Sequence, residues 1–316
     1  MNVNNYVPII DISDGCIEVS PSKKEKITIE IEKACKNVGF FYLVNHGIQN
    51  NIIDDIITLT KVFFKQNISE KKSIDHSNSI YNIGYVGIGE EGSAYSSGDL
   101  HEGFDFVRED FYYNDELIKG DIRMVGNQWP EKNNDFKKIF LEYANSVYLL
   151  AKNLFSIFGD ILGVDEDRFQ KLVNNPMQLT RLMYYPPVNT SNNESYGTGP
   201  HTDHECFTLL LQCDNVEALE VLDLHDNWVK VPPIKYSYVV NIGDLLSLWT
   251  GGIFKSTMHR VINKSGSERY SIPTFIGPNH DSVIEVLPKY NTNKTSSKIS
   301  TFEYIQGLND GNFKRK

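Results

Sequence analysis

The apolar positions of this chain change their period about half-way along it. In the first half they recur at helical spacing. Ile27, Ile31, Ala34, Cys35 and Val38 fall on one face of a helix that Ser22 can cap. Ile53, Ile56, Ile57, Phe63 and Phe64 form the apolar side of a second helix, over residues 50–65. The longest stripe is Phe136, Ile139, Phe140, Tyr143, Val147, Leu150, Ala151, Leu154, Phe155 and Phe158, which predicts a helix over 133–160 that backs a sheet. Runs at 7–12 and 39–44 read as short strands before and after the first helix. Beyond Pro176 the texture becomes short strands, at 178–185, 206–213, 217–222, 236–241, 257–263 and 269–276. Turn formers separate them, among them Asn189 to Asn193, Asp226-Asn227 and Ser265-Gly266-Ser267. Many short strands at this spacing indicate a sandwich or jelly roll. Ser300 and Glu303 spell a capping box for a last helix. Residues 76–130 are rich in Gly and Tyr and poorly periodic, so long loops over a pocket mouth are expected there.

The pattern contains no internal repeat and no clear linker. It predicts an α+β fold acting as one domain. Residues 1–175 would form a helical and strand-bearing region that does not fold independently, and residues 176–316 a jelly-roll core with a carboxy-terminal helix. At 316 residues the chain can bury a substantial core. Its net charge of −10, from 31 basic and 41 acidic side chains, argues against a nucleic-acid groove, which needs a basic surface. No signal peptide and no apolar run long enough for a membrane span are visible. The four cysteines have no C-x-x-C spacing, so reduced thiols and a cytoplasmic location are expected.

Candidate chemistry is concentrated in the second half. On a strand, His201 and Asp203 would project to the same side, and His259 follows after enough chain for several strands to run out and back. Two imidazoles and one carboxylate on one face of an octahedral metal leave three positions open, the arrangement of non-haem Fe(II) oxygenases. A rival set would use His204 in place of Asp203, giving three histidines and zinc, but strand parity turns His204 away from His201. Arg269 offers a rigid fork that matches a carboxylate, and Ser271 shares its face. Gly87-Ile88-Gly89-Glu90-Glu91-Gly92 has the dinucleotide-binding spelling, yet no helical pattern follows and two glutamates would repel a pyrophosphate. There is no G-x-S-x-G elbow for Ser-His-Asp hydrolysis. Parity directs Cys206 away from Asp203, as a buried free thiol.

With these residues the chain resembles the iron(II)/2-oxoglutarate-dependent dioxygenases, in their isopenicillin N synthase-like branch. The resemblance covers nearly the whole chain. It is carried by Val7-Pro8-Ile9-Ile10-Asp11, by Val38-Gly39-Phe40-Phe41-Tyr42-Leu43-Val44-Asn45-His46-Gly47-Ile48, by Asn241-Ile242-Gly243-Asp244 and by Arg269-Tyr270-Ser271-Ile272-Pro273. It implies a double-stranded β-helix (jelly-roll) core and Fe(II) on His201, Asp203 and His259. It also implies 2-oxoglutarate as co-substrate with its distal carboxylate on Arg269 and Ser271, dioxygen, and ascorbate as a reductant. Tyr185, in Tyr184-Tyr185-Pro186, matches a tyrosine that touches the co-substrate in several relatives. Met183 departs from the asparagine that many plant members have there. The expected reaction is hydroxylation, desaturation or ring closure of a small organic substrate with release of succinate and CO2. Tyr85, His101, Phe104 and Phe275 are the candidate substrate contacts. Two other readings use the same scaffold: an Fe(II) oxidase that does not consume 2-oxoglutarate, and a non-catalytic metal- or ligand-binding protein. The oligomeric state is not readable from the pattern.

Overall fold

The computed structural model describes residues 6–12, 21–79, 83–92, 98–108, 127–130, 134–188, 196–291 and 298–309. The expected turn at Asn189 to Asn193, and Cys16, lie outside the described residues. The first part of the chain forms β1 (Ile9–Asp11), α1 (Pro21–Asn37), β2 (Phe40–Val44), α2 (Asn50–Phe64), α3 (Ile68–Lys72), β3 (Tyr85–Val86), β4 (Glu102–Val107), α4 (Asn134–Leu162), α5 (Glu166–Val173) and β5 (Met177–Tyr185). The second part forms β6 (Thr198–His201), β7 (Phe207–Gln212), β8 (Leu219–Leu222), β9 (Trp228–Lys230), β10 (Tyr238–Ile242), α6 (Asp244–Trp249), β11 (His259–Val261), β12 (Arg269–Gly277), β13 (Val283–Ile284), β14 (Ile299–Ser300) and α7 (Thr301–Asn309).

Eight strands make a large sheet in the order β1-β2-β10-β7-β12-β5-β4-β3, and four make a smaller one in the order β6-β11-β8-β9. Strand alternation gives the large sheet two different faces. Phe207, Leu209 and Leu211 of β7, Leu182 of β5, and Tyr270, Ile272 and Ile276 of β12 point into the main core against the helices. The intervening positions Met183 and Tyr185 point the other way, into a second cluster shared with Leu219, Val221 and Val261 of the smaller sheet. Thr208, Leu210, Ser271, Pro273 and Phe275 line a cavity on that same side. The β12–β5 ladder is interrupted between Ser271 and Thr274, where Pro273 lacks an amide hydrogen.

The helical stripes are buried as expected. Phe136, Phe140, Tyr143, Val147, Leu154 and Phe158 of α4 are all inaccessible to solvent, and Phe63 of α2 packs on Phe104 with ring centroids 4.9 Å apart. Full burial of such an aromatic side chain contributes roughly 1.5–3 kcal/mol. The capping box at α7 forms reciprocally. The Glu303 amide donates to Ser300 Oγ at 3.1 Å, and the Ser300 amide donates to Glu303 Oε2 at 3.0 Å. Helix α1 begins at Pro21, whose ring suits a first helical position, so Ser22 lies inside the first turn instead of capping it.

The larger departure is at 76–130. This region supplies β3 and β4, and every residue of β4 is buried in the large sheet. Its sequence, Glu102-Gly103-Phe104-Asp105-Phe106-Val107, reads as half-solvated because it carries two carboxylates. Both are neutralised inside the protein: Lys71 donates to Glu102, and Arg181 to Asp105. Among the described residues, no helix is long and apolar enough to cross a membrane.

Candidate active site

Antiparallel pairing of β6 with β11 sets His201 directly opposite His259, with ring centroids 4.2 Å apart. Strand β6 ends at His201, so Asp203 does not share its strand as alternation implied. The chain turns there, and Asp203 reaches the large sheet, where Thr208 Oγ1 and Asn241 Nδ2 both donate to its Oδ2, the latter at 2.7 Å. Its other oxygen, Oδ1, lies 3.5 Å from His201 Nε2 and 3.6 Å from His259 Nε2. One donor atom from each of the three side chains lies within 4.8 Å of the others.

The local hydrogen bonds fix which atoms point inward. His201 Nδ1 is 2.8 Å from the Gly199 carbonyl, and His259 Nδ1 is 3.2 Å from that of Thr257. A carbonyl can only accept, so each Nδ1 carries a hydrogen and each Nε2 is the nitrogen turned to the shared centre, the one that can offer a lone pair to a metal. Burial alone would raise the Asp203 carboxyl, but His259, His201 and the Thr208 hydroxyl outweigh it and hold that group well below the usual carboxylate range. His259 is pushed down to about 4 by burial and by the neighbouring His201. Burial would also lower His201, yet its bond to Asp203 lifts it above the ordinary value. An ionised carboxylate and neutral imidazoles are the forms that ligate a divalent metal.

The Asn241-Ile242-Gly243-Asp244 segment is the platform beneath these residues. Asn241 orients Asp203, and the Asp244 amide donates to the Asp203 carbonyl at 2.8 Å. A Cβ on Gly243 would fall 2.1 Å from the Glu205 carbonyl oxygen, so only glycine allows this approach. His204, the rival ligand, faces Asp244 at 3.6 Å instead of joining the cluster.

The cavity between the two sheets has a volume of about 430 Å³ and contains all three of these side chains. It also contains two arginines in opposite situations. Arg181 is saturated: its Nε and Nη2 donate to Asp105 at 2.6 and 2.5 Å, and its Nη1 and Nη2 donate to Glu91 at 2.6 and 3.1 Å. Arg269 is only 1% exposed, yet among the described residues no carboxylate pairs with it. Its Nε has no partner, and its contacts are Ser271 Oγ at 3.3 Å, Gln212 Oε1 at 3.4 Å and the face of Tyr185 at 4.8 Å. A buried guanidinium without a counter-charge is strongly unfavourable, so this geometry awaits an anion.

Tyr185 lines the same cavity, and its hydroxyl donates to the Met183 sulfur at 3.2 Å. The thioether at Met183 thus occupies the tyrosine hydroxyl from its own strand face. His101 and Phe275 line the cavity. Tyr85 and Phe104 are not at its wall. Tyr85 is buried with its hydroxyl donating to Glu102 at 2.7 Å, and Phe104 packs among Phe63, Phe136 and Phe140. Both belong to β3 and β4, whose pairing turns these rings to the helical side. Sequence reasoning missed Thr208 and Asn241 as supports of Asp203, and missed the Asp105–Arg181–Glu91 chain. Alternation along β5 sets Arg181 on the face of Met183 and Tyr185, which is the signal the sequence offers; nothing local reveals its partners.

Residues 176–278 match the 2OG-Fe(II) oxygenase superfamily, and residues 7–132 match the amino-terminal region of non-haem dioxygenases in morphine synthesis. A homoarginine-6-hydroxylase of Glycine max is 32% identical over 310 residues, covering 92% of this chain and 91% of the relative. The chain belongs to the 2OG-Fe(II) oxygenase superfamily. A 2-oxoglutarate-Fe(II) type oxidoreductase of Emericella nidulans is 34% identical over 293 residues, covering 89% of this chain and 82% of that one. Among solved structures, a full-length Neurospora crassa protein in complex with alpha-KG and thymine superposes with a TM-score of 0.84 at 26% identity, covering 97% of each chain. This 2OG-Fe(II) oxygenase is therefore an oxidoreductase whose cofactor is Fe(II) and whose co-substrate is 2-oxoglutarate, on a jelly-roll core. The oxidase and non-catalytic readings of the scaffold give way to it. The residues present fit both groups: the cluster is the right donor set for Fe(II), and the orphaned Arg269 is the right partner for a dicarboxylate.

Proposed function

We propose that His201, Asp203 and His259 hold the Fe(II), and that Arg269 and Ser271 hold the distal carboxylate of 2-oxoglutarate, with Tyr185 packed on the Arg269 fork. The observation that carries this reading is Arg269, a buried guanidinium with an unpartnered Nε at the end of a cavity that also contains the metal cluster. Bound Fe(II) and 2-oxoglutarate supply the oxidising chemistry, in which dioxygen and 2-oxoglutarate are converted to succinate and CO2 and one oxygen atom is delivered to the substrate. The chain's own residues position and enclose. Thr208 and Asn241 hold Asp203 so that Oδ1 stays directed at the cluster. The Gly199 and Thr257 carbonyls keep both Nε2 atoms turned inward. Leu179, Leu210, Pro273 and Phe275 give the wall an apolar surface that excludes water from the reacting C–H bond.

The substrate is a small molecule, and hydroxylation is the proposed outcome. The Glycine max relative is named for hydroxylation of homoarginine, and the Neurospora neighbour was solved with thymine. Anaerobic titration of the Fe(II)-loaded protein with 2-oxoglutarate tests the assignment, read by the visible charge-transfer band of a chelated keto acid. A saturating band that disappears in His201→Ala supports it, and iron binding without any band refutes it.

A further inference from the structure

Strand β6 carries His201, yet strand pairing supports it weakly. It has four residues and lies at the edge of the smaller sheet, whereas β11, which carries His259, is paired on both sides, with β6 and with β8. The β6–β11 ladder also slips. His201 stands opposite His259 and Thr198 opposite Val261, so Gly199 and Pro200 together face the single residue Arg260. That is a β-bulge, which re-aims a side chain and gives up ladder bonds. Glycine imposes no side-chain restriction on its own backbone, and Pro200 has no amide hydrogen to donate. Pairing with β11 therefore does little to fix the two residues that set the direction of His201.

The restraint comes from elsewhere in the chain. Asp99, 4% exposed, accepts a hydrogen bond from the Gly199 amide at its Oδ1, at 3.1 Å. The Gly199 carbonyl in turn accepts from His201 Nδ1 at 2.8 Å. One glycine thus joins the carboxylate to the imidazole. The neighbours of Asp99 hold the same stretch: the Leu100 amide donates to the Tyr196 carbonyl at 2.9 Å, and His101 Nδ1 donates to that of Gly197 at 2.7 Å. Residues 99–101 clamp residues 196–199, and the bond from Asp99 is the one that falls on the bulge. A buried amide without an acceptor is unfavourable, so without Asp99 the Gly199 backbone would turn toward another partner and take its carbonyl with it.

We propose that Asp99 is a positioning residue of the iron centre: by holding the bulged backbone of Gly199 it fixes the carbonyl that aims the His201 imidazole. This rests on the assignment of His201 as a metal ligand. The test measures Fe(II) affinity of the full-length protein by anaerobic chelator competition, and the maximum of the charge-transfer band formed with 2-oxoglutarate. Asp99→Leu keeps the size of the side chain and removes the acceptor. It should weaken Fe(II) binding about 10- to 100-fold, the usual loss when a partner behind a ligand is removed, and should shift the band maximum. Asp99→Asn retains an oxygen for the Gly199 amide and should restore most of both. Asp99→Ser, in which water can take the place of the carboxylate, replaces the leucine variant if that one does not fold, and should show the same changes in smaller degree. Lys71→Met, which breaks the buried ion pair with Glu102, should be less stable yet keep the wild-type affinity and band. Wild-type Fe(II) affinity in His201→Ala would refute the ligand assignment, and this proposal with it. Weakened binding in His201→Ala beside wild-type affinity and band in Asp99→Leu, or in the serine variant where it stands in, overturns the proposal alone. So does a loss that Lys71→Met reproduces or that Asp99→Asn does not relieve.

Discussion

Replacing Arg269 by methionine removes a charge while nearly keeping the bulk, and the consequences differ with and without ligand. The side chain is 1% exposed, and its polar contacts, to Ser271 and Gln212, are long at 3.3 and 3.4 Å. If the fork receives the distal carboxylate of 2-oxoglutarate, the variant loses a charge-assisted bidentate contact of about 1.5–3 kcal/mol. At about 1.4 kcal/mol per factor of ten, the Kd for 2-oxoglutarate rises about 10- to 150-fold. Anaerobic titration of the Fe(II) protein gives that Kd directly. The ligand-free protein should respond in the opposite sense, since an unpaired buried guanidinium opposes folding. Its Tm in Arg269→Met should therefore be unchanged or higher. Arg181→Met is the control: it strands Asp105 and Glu91 without their cation, a loss of about 3–5 kcal/mol that lowers Tm by several degrees. The reasoning is refuted if Arg269→Met binds 2-oxoglutarate like the wild type, or if its ligand-free Tm falls as far as that of Arg181→Met.

Other substitutions separate metal binding from folding. His259→Ala removes one of the three clustered side chains proposed to hold the metal and should abolish succinate release and weaken Fe(II) binding, followed by metal analysis after dialysis. Thr208→Val deletes one of two donors to Asp203 Oδ2, and Fe(II) affinity should fall about 10- to 100-fold in a chelator competition. Gly243→Ala would force a Cβ to within 2.1 Å of the Glu205 carbonyl, so the segment must shift, losing about 1–3 kcal/mol in denaturant unfolding together with metal affinity. Lys71→Met leaves Glu102 buried without its cation and should lower stability by about 3–5 kcal/mol, while the Kd for 2-oxoglutarate stays as in the wild type.

Periodicity alone located α2, α4 and most strands of the second half, because their buried faces are continuous apolar stripes. The capping residues Ser300 and Glu303 were equally legible, since a cap is a contact across three residues. Strand β4 was not. Glu102 and Asp105 look solvated in one dimension, and only their partners Lys71 and Arg181, from other elements, make burial tolerable. The same limit put Tyr85 and Phe104 among candidate contacts, although strand pairing turns them toward the helices.

At the site, residue types and their order were enough to nominate His201, Asp203, His259, Arg269 and Ser271, because the chemistry of a metal face and a carboxylate fork restricts which side chains can serve. Alternation along one strand was not how Asp203 joins the histidines. The β6–β11 register brings the imidazoles together, and bonds from Thr208 and Asn241 draw the carboxylate across from the other sheet. Likewise, the sequence nominated Arg269 as an anion anchor but did not show that Arg181, on the adjacent strand β5, is already saturated. That depends on where Glu91 and Asp105 come to lie, and electrostatic pairing is a property of distance in space, which no spacing along the chain encodes.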